Sequence, residues 1–299
     1  MNQKPHKNIR IIQALAYFDI FKHPLRKEEL ANLAGISNSE AETILVELTA
    51  QKVCYSFDQH FSIFHRTDEL VNLRVQKERK ASNYFKKLPF YARLISSFPF
   101  VRSIAISGSL SKGVMHDDGD IDYFIITAPN RMWICRTFLI LFKKVFLLNS
   151  KKYFCINYLV DENHLEIIDK NIFTAIEVSH LLPVYNEPLI NQLKKENNWT
   201  EEYLPRFKHL NKVKQVEESK PVKKILEKLL SGNLGERLDL FFMKTTYKRW
   251  GQKFRHFDPT KLQLTMRSDR GVSKHHPQDF QNKVLTAYQE RINKLTANS

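Results

Sequence analysis

Residues 101–127, VRSIAISGSLSKGVMHDDGDIDYFIIT, decide the interpretation of this chain. The apolar run around Ile104 and Ile106 predicts a buried strand that ends at Gly108, and the run at 123–126 predicts a second one. Three of the eight glycines lie in this window. Glycine tolerates positive φ and leaves space for a ligand. The stretch therefore predicts two strands joined through a glycine turn that a ligand can approach.

Asp120 and Asp122 stand at the head of the second run. On a strand, side chains at i and i+2 share a face, so these two carboxylates are expected side by side, with Ile121 on the other face. Like charges so placed raise each other's pKa unless a cation lies between them. Mg²⁺ binds carboxylate oxygens together with substrate phosphate oxygens. We therefore expect Asp120 and Asp122 to be catalytic residues that hold Mg²⁺, or Mn²⁺ in its place.

The turn itself offers groups that suit phosphate. Backbone N–H groups at Gly108 and the hydroxyl of Ser109 can meet phosphate oxygens, especially if Ser111 opens a helix. Lys112 lies beside the turn, where it either meets a triphosphate or is an ordinary surface lysine. These four residues are the predicted phosphate-binding set.

A strand ending in Gly108-Ser109, followed by Asp120 and Asp122 on the next strand, resembles the DNA polymerase β-like nucleotidyltransferase superfamily. The resemblance covers roughly residues 101–170, about a quarter of the chain. It implies a mixed α/β core, a metal on the two aspartates and a nucleoside triphosphate as substrate. The plain alternative is an acidic loop that caps a strand.

The resemblance is weakest at the third carboxylate. The family usually carries a further acidic residue on the next core strand, and the best-matching position here is Asn157. An amide oxygen can coordinate a metal, but it brings no charge and is a very poor base. Asp161 or Glu166 can substitute if the geometry allows. An active enzyme with two strong carboxylates and a degenerate site both stay open.

The expected fold class is α+β, with four regions. Residues 1–66 predict three helices and a hairpin, which resemble a winged helix-turn-helix domain. Residues 67–100 predict a helical connector whose charges at 74–80 form a solvated face. Residues 101–187 form the nucleotidyltransferase-like core, and 188–299 a basic helical region. The core elements predicted are strands at 103–107, 121–127, 152–160 and 164–168 and helices at 110–115, 130–148 and 172–181.

The third N-terminal helix carries Glu40, Glu42 and Glu47 and reaches a cation only at Lys52. Helices that enter a DNA groove need Arg or Lys for phosphates and base edges. The helix therefore argues against DNA binding and favours a role in packing or protein contact.

Composition indicates a globular protein, with 42% hydrophobic and 12% aromatic residues. Three scattered cysteines indicate a reducing compartment and no zinc cluster. The first residues lack an apolar core of signal-peptide length, and charges interrupt the apolar run at 132–148. We expect a soluble, cytoplasmic protein without a membrane span.

The formal net charge of +15 is unevenly distributed. Residues 1–66 hold 8 Lys and Arg against 7 Asp and Glu, whereas residues 205–299 hold 21 against 9. Such a field favours polyanions, whether nucleotides, RNA, DNA or anionic lipid. The polar stretch 265–278 is either an anion site or a solvated loop; its basic residues are Arg267, Arg270, Lys274, His275 and His276.

Two remaining features have plain interpretations. His116 is expected to be a loop residue, and Glu177 and His180 share one face of a predicted helix, where structural roles are expected.

The sequence thus predicts a nucleotidyltransferase that transfers a nucleoside monophosphate from a triphosphate to an acceptor hydroxyl. The acceptor stays open among RNA, a protein side chain, a small molecule and another nucleotide. Two alternatives remain, a catalytically degenerate nucleotide- or protein-binding module and a winged-helix regulator.

Overall fold

The computed structural model describes residues 7–217, 221–255, 268–274 and 279–297, and its mixture of helices and strands is of the α+β class. The helices are α1 Lys7–Asp19, α2 Lys27–Ala34, α3 Asn38–Ala50, α4 Thr67–Ser96, α5 Gly108–Ser111, α6 Met132–Phe146, α7 Ile172–Ser179, α8 Glu187–Glu196, α9 Pro221–Leu229, α10 Asn233–Lys253 and α11 Phe280–Ala297. The strands are β1 Leu25–Arg26, β2 Tyr55–Phe57, β3 His60–Ser62, β4 Val101–Ser107, β5 Asp122–Thr127, β6 Cys155–Asp161, β7 Leu182–Tyr185 and β8 Val272–Lys274. A 3₁₀ helix spans Asn198–Glu202.

A mixed five-stranded sheet forms the centre of the molecule, in the order β7-β4-β5-β6-β8. The pair β5 and β6 is parallel, and the other neighbours are antiparallel. The register sets Ser107 opposite Asp122, and Asp122 opposite Cys155. The end of β4 therefore meets the starts of β5 and β6 at one end of the sheet.

Both faces of this sheet are covered, which explains the nearly continuous apolar runs of β4 and β5. Side chains on one face, such as Tyr123 and Ile125, pack in one apolar cluster with residues of α4 and α6. Side chains on the other face, such as Phe124 and Ile126, pack with residues of α7 and α8. Alternate residues of β5 thus point into two separate cores.

The predicted N-terminal helices and hairpin are present as α1, α2, α3 and the β2–β3 pair. The backbone N–H of Glu40 donates to Ser37 Oγ at 3.3 Å, and Glu40 accepts from the Ser37 N–H at 2.9 Å. This reciprocal pair is a capping box that begins α3 after Ser37. The short strand β1 adds to the hairpin and makes a three-stranded sheet.

The N-terminal helices do not close a core of their own. Their apolar cluster also contains Ala175 and Ile176 of α7, Leu204 and Val284 of α11. An ion pair from Arg291 of α11 to the buried Asp19 of α1 joins the same parts at 2.8 Å.

The helix predicted at 67–97 is α4, but the prediction of a solvated charged face was wrong at Arg74. The Arg74 side chain is only 2% exposed and forms ion pairs with Glu29 at 2.6 Å and Glu78 at 2.9 Å. Because a buried guanidinium requires carboxylate partners, this residue connects α4 to α2 instead of facing water.

The prediction of a strand at 164–168 was also wrong. The side chain of Asn197 donates to the carbonyl of Leu165 at 2.7 Å and accepts from the N–H of Ile167 at 2.7 Å. One buried amide therefore takes the backbone bonds that a neighbouring strand would have made. The edges of the sheet are formed instead by β7 and β8.

The prediction of a helical region over 188–299 does not hold at residues 205–217, which contain no helix or strand. This 205–217 segment crosses the molecule. Asn211 Nδ2 donates to the carbonyl of Ser111 at 3.2 Å, and the N–H of Val216 donates to the carbonyl of Val184 at 2.8 Å. The segment thereby connects the glycine turn to the edge strand β7.

The helical character predicted for 188–299 is present in α9 and α10. The polar stretch 265–278 falls partly outside the described residues, which leave out Arg267, His275 and His276. Its described cations are engaged, since Arg270 contacts Glu236 at 2.7 Å and Lys274 contacts Asp169 at 2.8 Å. Among the described helices, none has the length and apolarity that a membrane crossing requires.

Candidate functional site

The turn after β4 brings the predicted residues to one end of the sheet. Gly108 has φ +66°, and a Cβ there would lie 2.6 Å from Asp122 Oδ2. Only glycine suits that backbone conformation and that approach. The glycine predicted room for a ligand, and in the structure the group nearest to that space is the Asp122 carboxylate.

The two serines of the turn differ in burial and in hydrogen bonding. Ser109 is half-buried in the first turn of α5, whereas Ser111 is fully buried and its Oγ donates to the Gly108 carbonyl at 2.9 Å. The Ser111 hydroxyl therefore stabilises the turn. The helix it belongs to has only four residues and begins two residues earlier than predicted.

Lys112 is largely buried, with 14% of its side chain exposed. Its Nζ donates to the Gly108 carbonyl at 3.1 Å and lies 2.8 Å from Glu177 Oε1. The other oxygen of Glu177 accepts from the N–H of Gly108 at 3.3 Å. The carboxylate of Glu177 thus accepts hydrogen bonds from the Gly108 N–H and from the Lys112 ammonium group. Both donors could otherwise bind a phosphate oxygen.

Glu177 was interpreted as structural, and its place in the site was missed. One feature of the sequence indicates that Glu177 has a special role. It is a lone carboxylate among apolar residues, and its neighbours Ala175, Ile176 and Val178 are all buried. His180, which was expected to share its face, bonds back to its own helix through Nδ1 and the Ile176 carbonyl.

Asp122 is the first residue of β5, and Asp120 precedes the strand. Burial first, and then the nearby charges of Asp120 and Glu177, raise the pKa of Asp122 to about 7, against a hydrogen bond from the Cys155 thiol that lowers it. The pKa of Cys155 is raised in turn, by burial first and then by the two aspartates. The charge of Lys112 acts in the opposite direction but does not offset the burial of Asp122.

Asn157 does not pair with Asp122. The register of β5 and β6 pairs Asp122 with Cys155, and an irregularity after Tyr123 carries the pairing from Ile156 past Asn157 to Tyr158. The neighbour of Asp122 across this pair of strands is therefore a thiol.

The two substitutes for a third carboxylate lie elsewhere. Asp161 is buried at the opposite end of β6, where its carboxylate accepts from the N–H groups of Asn130 at 3.2 Å and Asn163 at 3.0 Å. Glu166 pairs with Lys170 at the surface. Neither joins Asp120 and Asp122. His116 lies on the exposed loop before them, and burial and Lys77 lower its pKa.

The carboxylates of the site can be compared with the ligands that a divalent metal ion requires. Within the described residues, no three or more His, Cys, Asp or Glu side chains are arranged to hold a metal ion by themselves. Mg²⁺ commonly uses one or two carboxylates and completes its shell with water and substrate phosphates. Asp120 and Asp122 fit that mode, and a cation would offset the repulsion that adds to the effect of burial on the pKa of Asp122.

Comparisons with protein-family models, curated proteins and solved structures find no match for this chain. What the site can do is therefore judged from its own residues.

Proposed function

We propose that this chain is a metal-dependent nucleotidyltransferase that transfers a nucleoside monophosphate from a nucleoside triphosphate to an acceptor hydroxyl. The acceptor oxygen would bond to the α-phosphorus, the bond from that phosphorus to the departing pyrophosphate would break, and the hydroxyl proton would pass to solvent. The observation that supports the proposal is that Gly108, Lys112 and Asp122 lie close together at one end of the sheet.

Each residue has a defined part in this proposal. Asp120 and Asp122 would hold Mg²⁺ or Mn²⁺, which supplies positive charge against the phosphates. Lys112 and the Gly108 N–H would donate hydrogen bonds to phosphate oxygens instead of to the Glu177 carboxylate. Because the pKa of Asp122 is about 7, this residue must lose a proton before it can bind a cation, and the pH-dependence of binding should show that step.

A polyanion such as RNA is the acceptor class that the charge favours. The exposed basic residues of α10 include Lys244, Lys248, Arg249 and Lys253. Lys244 and Lys248 are four residues apart and share one face of the helix. An acceptor held this way should dissociate as salt is raised, since released counterions drive such binding.

Pyrophosphate release from each of the four ribonucleoside triphosphates, with Mg²⁺ or Mn²⁺, tests the proposal. The full chain would be supplied with total cell RNA as acceptor, and its own labelling would be followed. Release should disappear in Asp120→Asn and Asp122→Asn but persist in Asp118→Asn, an exposed carboxylate of the same loop. Release that survives Asp122→Asn contradicts the proposed mechanism.

A second candidate is a nucleotide-binding module without turnover, and the pairing of Asp122 with Cys155 favours it. A thiol with a raised pKa is a poor substitute for a third carboxylate. Titration of a labelled triphosphate with and without Mg²⁺ separates the two candidates. Metal-dependent binding without pyrophosphate release under any acceptor condition supports the module.

Regulation through DNA has less support. The sequence of α3 contains no Lys or Arg, and its Glu42 and Glu47 are exposed. A gel-shift assay at two salt concentrations tests it.

A further inference from the structure

A cavity of about 380 Å³ lies beside Lys112, between the N-terminal helices, α4 and the 205–217 segment. This volume is at the small end of the range of roughly 300–1,000 Å³ that ligand pockets span. Asn211 holds the segment to the turn, and Asn32 of α2 exchanges two hydrogen bonds with the backbone of Lys208 at 2.7 and 2.9 Å. The cavity is therefore built by fixed walls from three parts of the chain.

One wall of the cavity is aromatic. The rings of His180 and Phe207 have centroids 4.5 Å apart, Phe18 lies 6.4 Å from His180, and His209 lies 5.9 Å from it. Flat rings grouped in this way offer stacking surfaces to another ring.

The imidazole groups on this wall are neutral. The Nε2 of His209 donates to the His180 carbonyl at 2.9 Å, and its Nδ1 accepts from the N–H of Asn211 at 3.1 Å, which fixes one uncharged tautomer. Burial first, and then the charge of Lys112, lower the pKa of His180 well below its usual range. Burial, Arg74 and Lys77 do the same to the pKa of His23. These histidines act as polar aromatic rings.

The cations that line the cavity are already neutralised. Arg74 contacts Glu29 at 2.6 Å, Arg26 contacts Glu78 at 2.9 Å, and Lys112 contacts Glu177 at 2.8 Å. A polyphosphate would have to break these pairs to enter. An uncharged ring with hydrogen-bonding edges would not.

From this lining we propose that the cavity binds an uncharged aromatic heterocycle, a nucleobase with its ribose. The choice of ligand class rests on the proposed function, because Lys112 belongs both to the cavity and to the glycine turn. The nucleoside part comes either from the donor triphosphate, whose phosphates would lie on the turn, or from an acceptor nucleoside. The same wall chemistry serves both.

Isothermal titration of the full chain with adenosine, guanosine, cytidine and uridine, in EDTA, tests the cavity without metal or turnover. At least one nucleoside should saturate one site. Phe207→Leu and Phe18→Leu keep apolar bulk but remove a stacking ring, and each should weaken binding about tenfold. Phe241→Leu, at a phenylalanine 60% exposed on α10, should change nothing. Thermal unfolding curves would show whether each variant remains folded.

Competition then distinguishes the two sources. A nucleoside displaced by its own triphosphate occupies the donor site, and one that binds together with the triphosphate occupies an acceptor site; either supports the cavity. No saturable binding of any nucleoside, or equal binding by both ring variants and the wild type, overturns the inference. Saturable nucleoside binding by a wild-type protein that releases no pyrophosphate under any acceptor condition would count against the proposed function alone.

Discussion

Asp122→Asn should make the protein more stable at pH 8. The carboxyl of Asp122 has its pKa raised from the ordinary value of 3.8 to about 7, mainly by burial. At about 1.4 kcal/mol for each tenfold change in ionisation, ionising it in the folded protein costs about 4 kcal/mol. Its partial contact with solvent reduces that figure. The new amide needs a second hydrogen-bond partner, which costs about 1–2 kcal/mol, so a net gain of about 2 kcal/mol is expected.

The raised pKa of Asp122 determines how the stability of the wild type changes with pH. Below pH 3.8 the carboxyl is protonated in both states. Between pH 3.8 and 7 the unfolded chain has lost the proton and the folded chain keeps it, so stability falls as pH rises. Above pH 7 both are ionised and the penalty is complete. The advantage of Asp122→Asn over the wild type should therefore grow by about 2–3 kcal/mol between pH 5 and pH 8.

Urea unfolding of both proteins at pH 5 and pH 8, in EDTA and followed by circular dichroism, measures this difference. Asp118→Asn is the matched control, because it removes an exposed carboxylate four residues away, and it should change the free energy of unfolding by no more than about 0.5 kcal/mol. An advantage of equal size at both pH values, or a variant less stable than the wild type at pH 8, would refute the account of Asp122. Mg²⁺ should stabilise the wild type and leave Asp122→Asn unchanged.

Three further changes have defined outcomes. Arg74→Met should destabilise the fold by about 3–5 kcal/mol in urea, because it leaves carboxylates without their buried partner, whereas Arg66→Met at the surface should cost less than about 1 kcal/mol. Glu177→Gln should tighten metal-free triphosphate binding several-fold in a dialysis assay, because the carboxylate no longer competes for Lys112; weaker binding contradicts the competition. Asp161→Asn should lower stability by about 2–3 kcal/mol, yet leave Mg²⁺-dependent nucleotide binding unaltered, since it lies at the opposite end of β6.

Local features of the sequence predicted most of the secondary structure. The apolar runs of β4 and β5 and the glycine break at Gly108 depend on neighbouring residues, and each was found in place. The strand predicted at 164–168 had the right pattern, but the side chain of Asn197, about 30 residues away, takes its backbone bonds.

What the sequence did not predict depends on distant pairing. Glu177 reaches Gly108 across 69 residues, and Arg74 is buried by Glu29 across 45. The pairing of Cys155 with Asp122 follows from the register of β6, and a single irregular residue shifts it. The roles of Gly108, Ser109, Lys112, Asp120 and Asp122 in nucleotide chemistry stay predictions.

The contact between α1 and α11 has a consequence for biosynthesis. Asp19, a fully buried carboxylate, obtains its Arg291 partner from a position 272 residues later. During translation, α1 leaves the ribosome long before α11 is synthesised. The apolar face of α1 and the Asp19 carboxylate therefore lack their partners on α11 until most of the polypeptide has been made. Domains that fold as they emerge escape this delay. Here the nascent N-terminal helices would expose apolar surface for the whole interval, and they are where a chaperone would be needed.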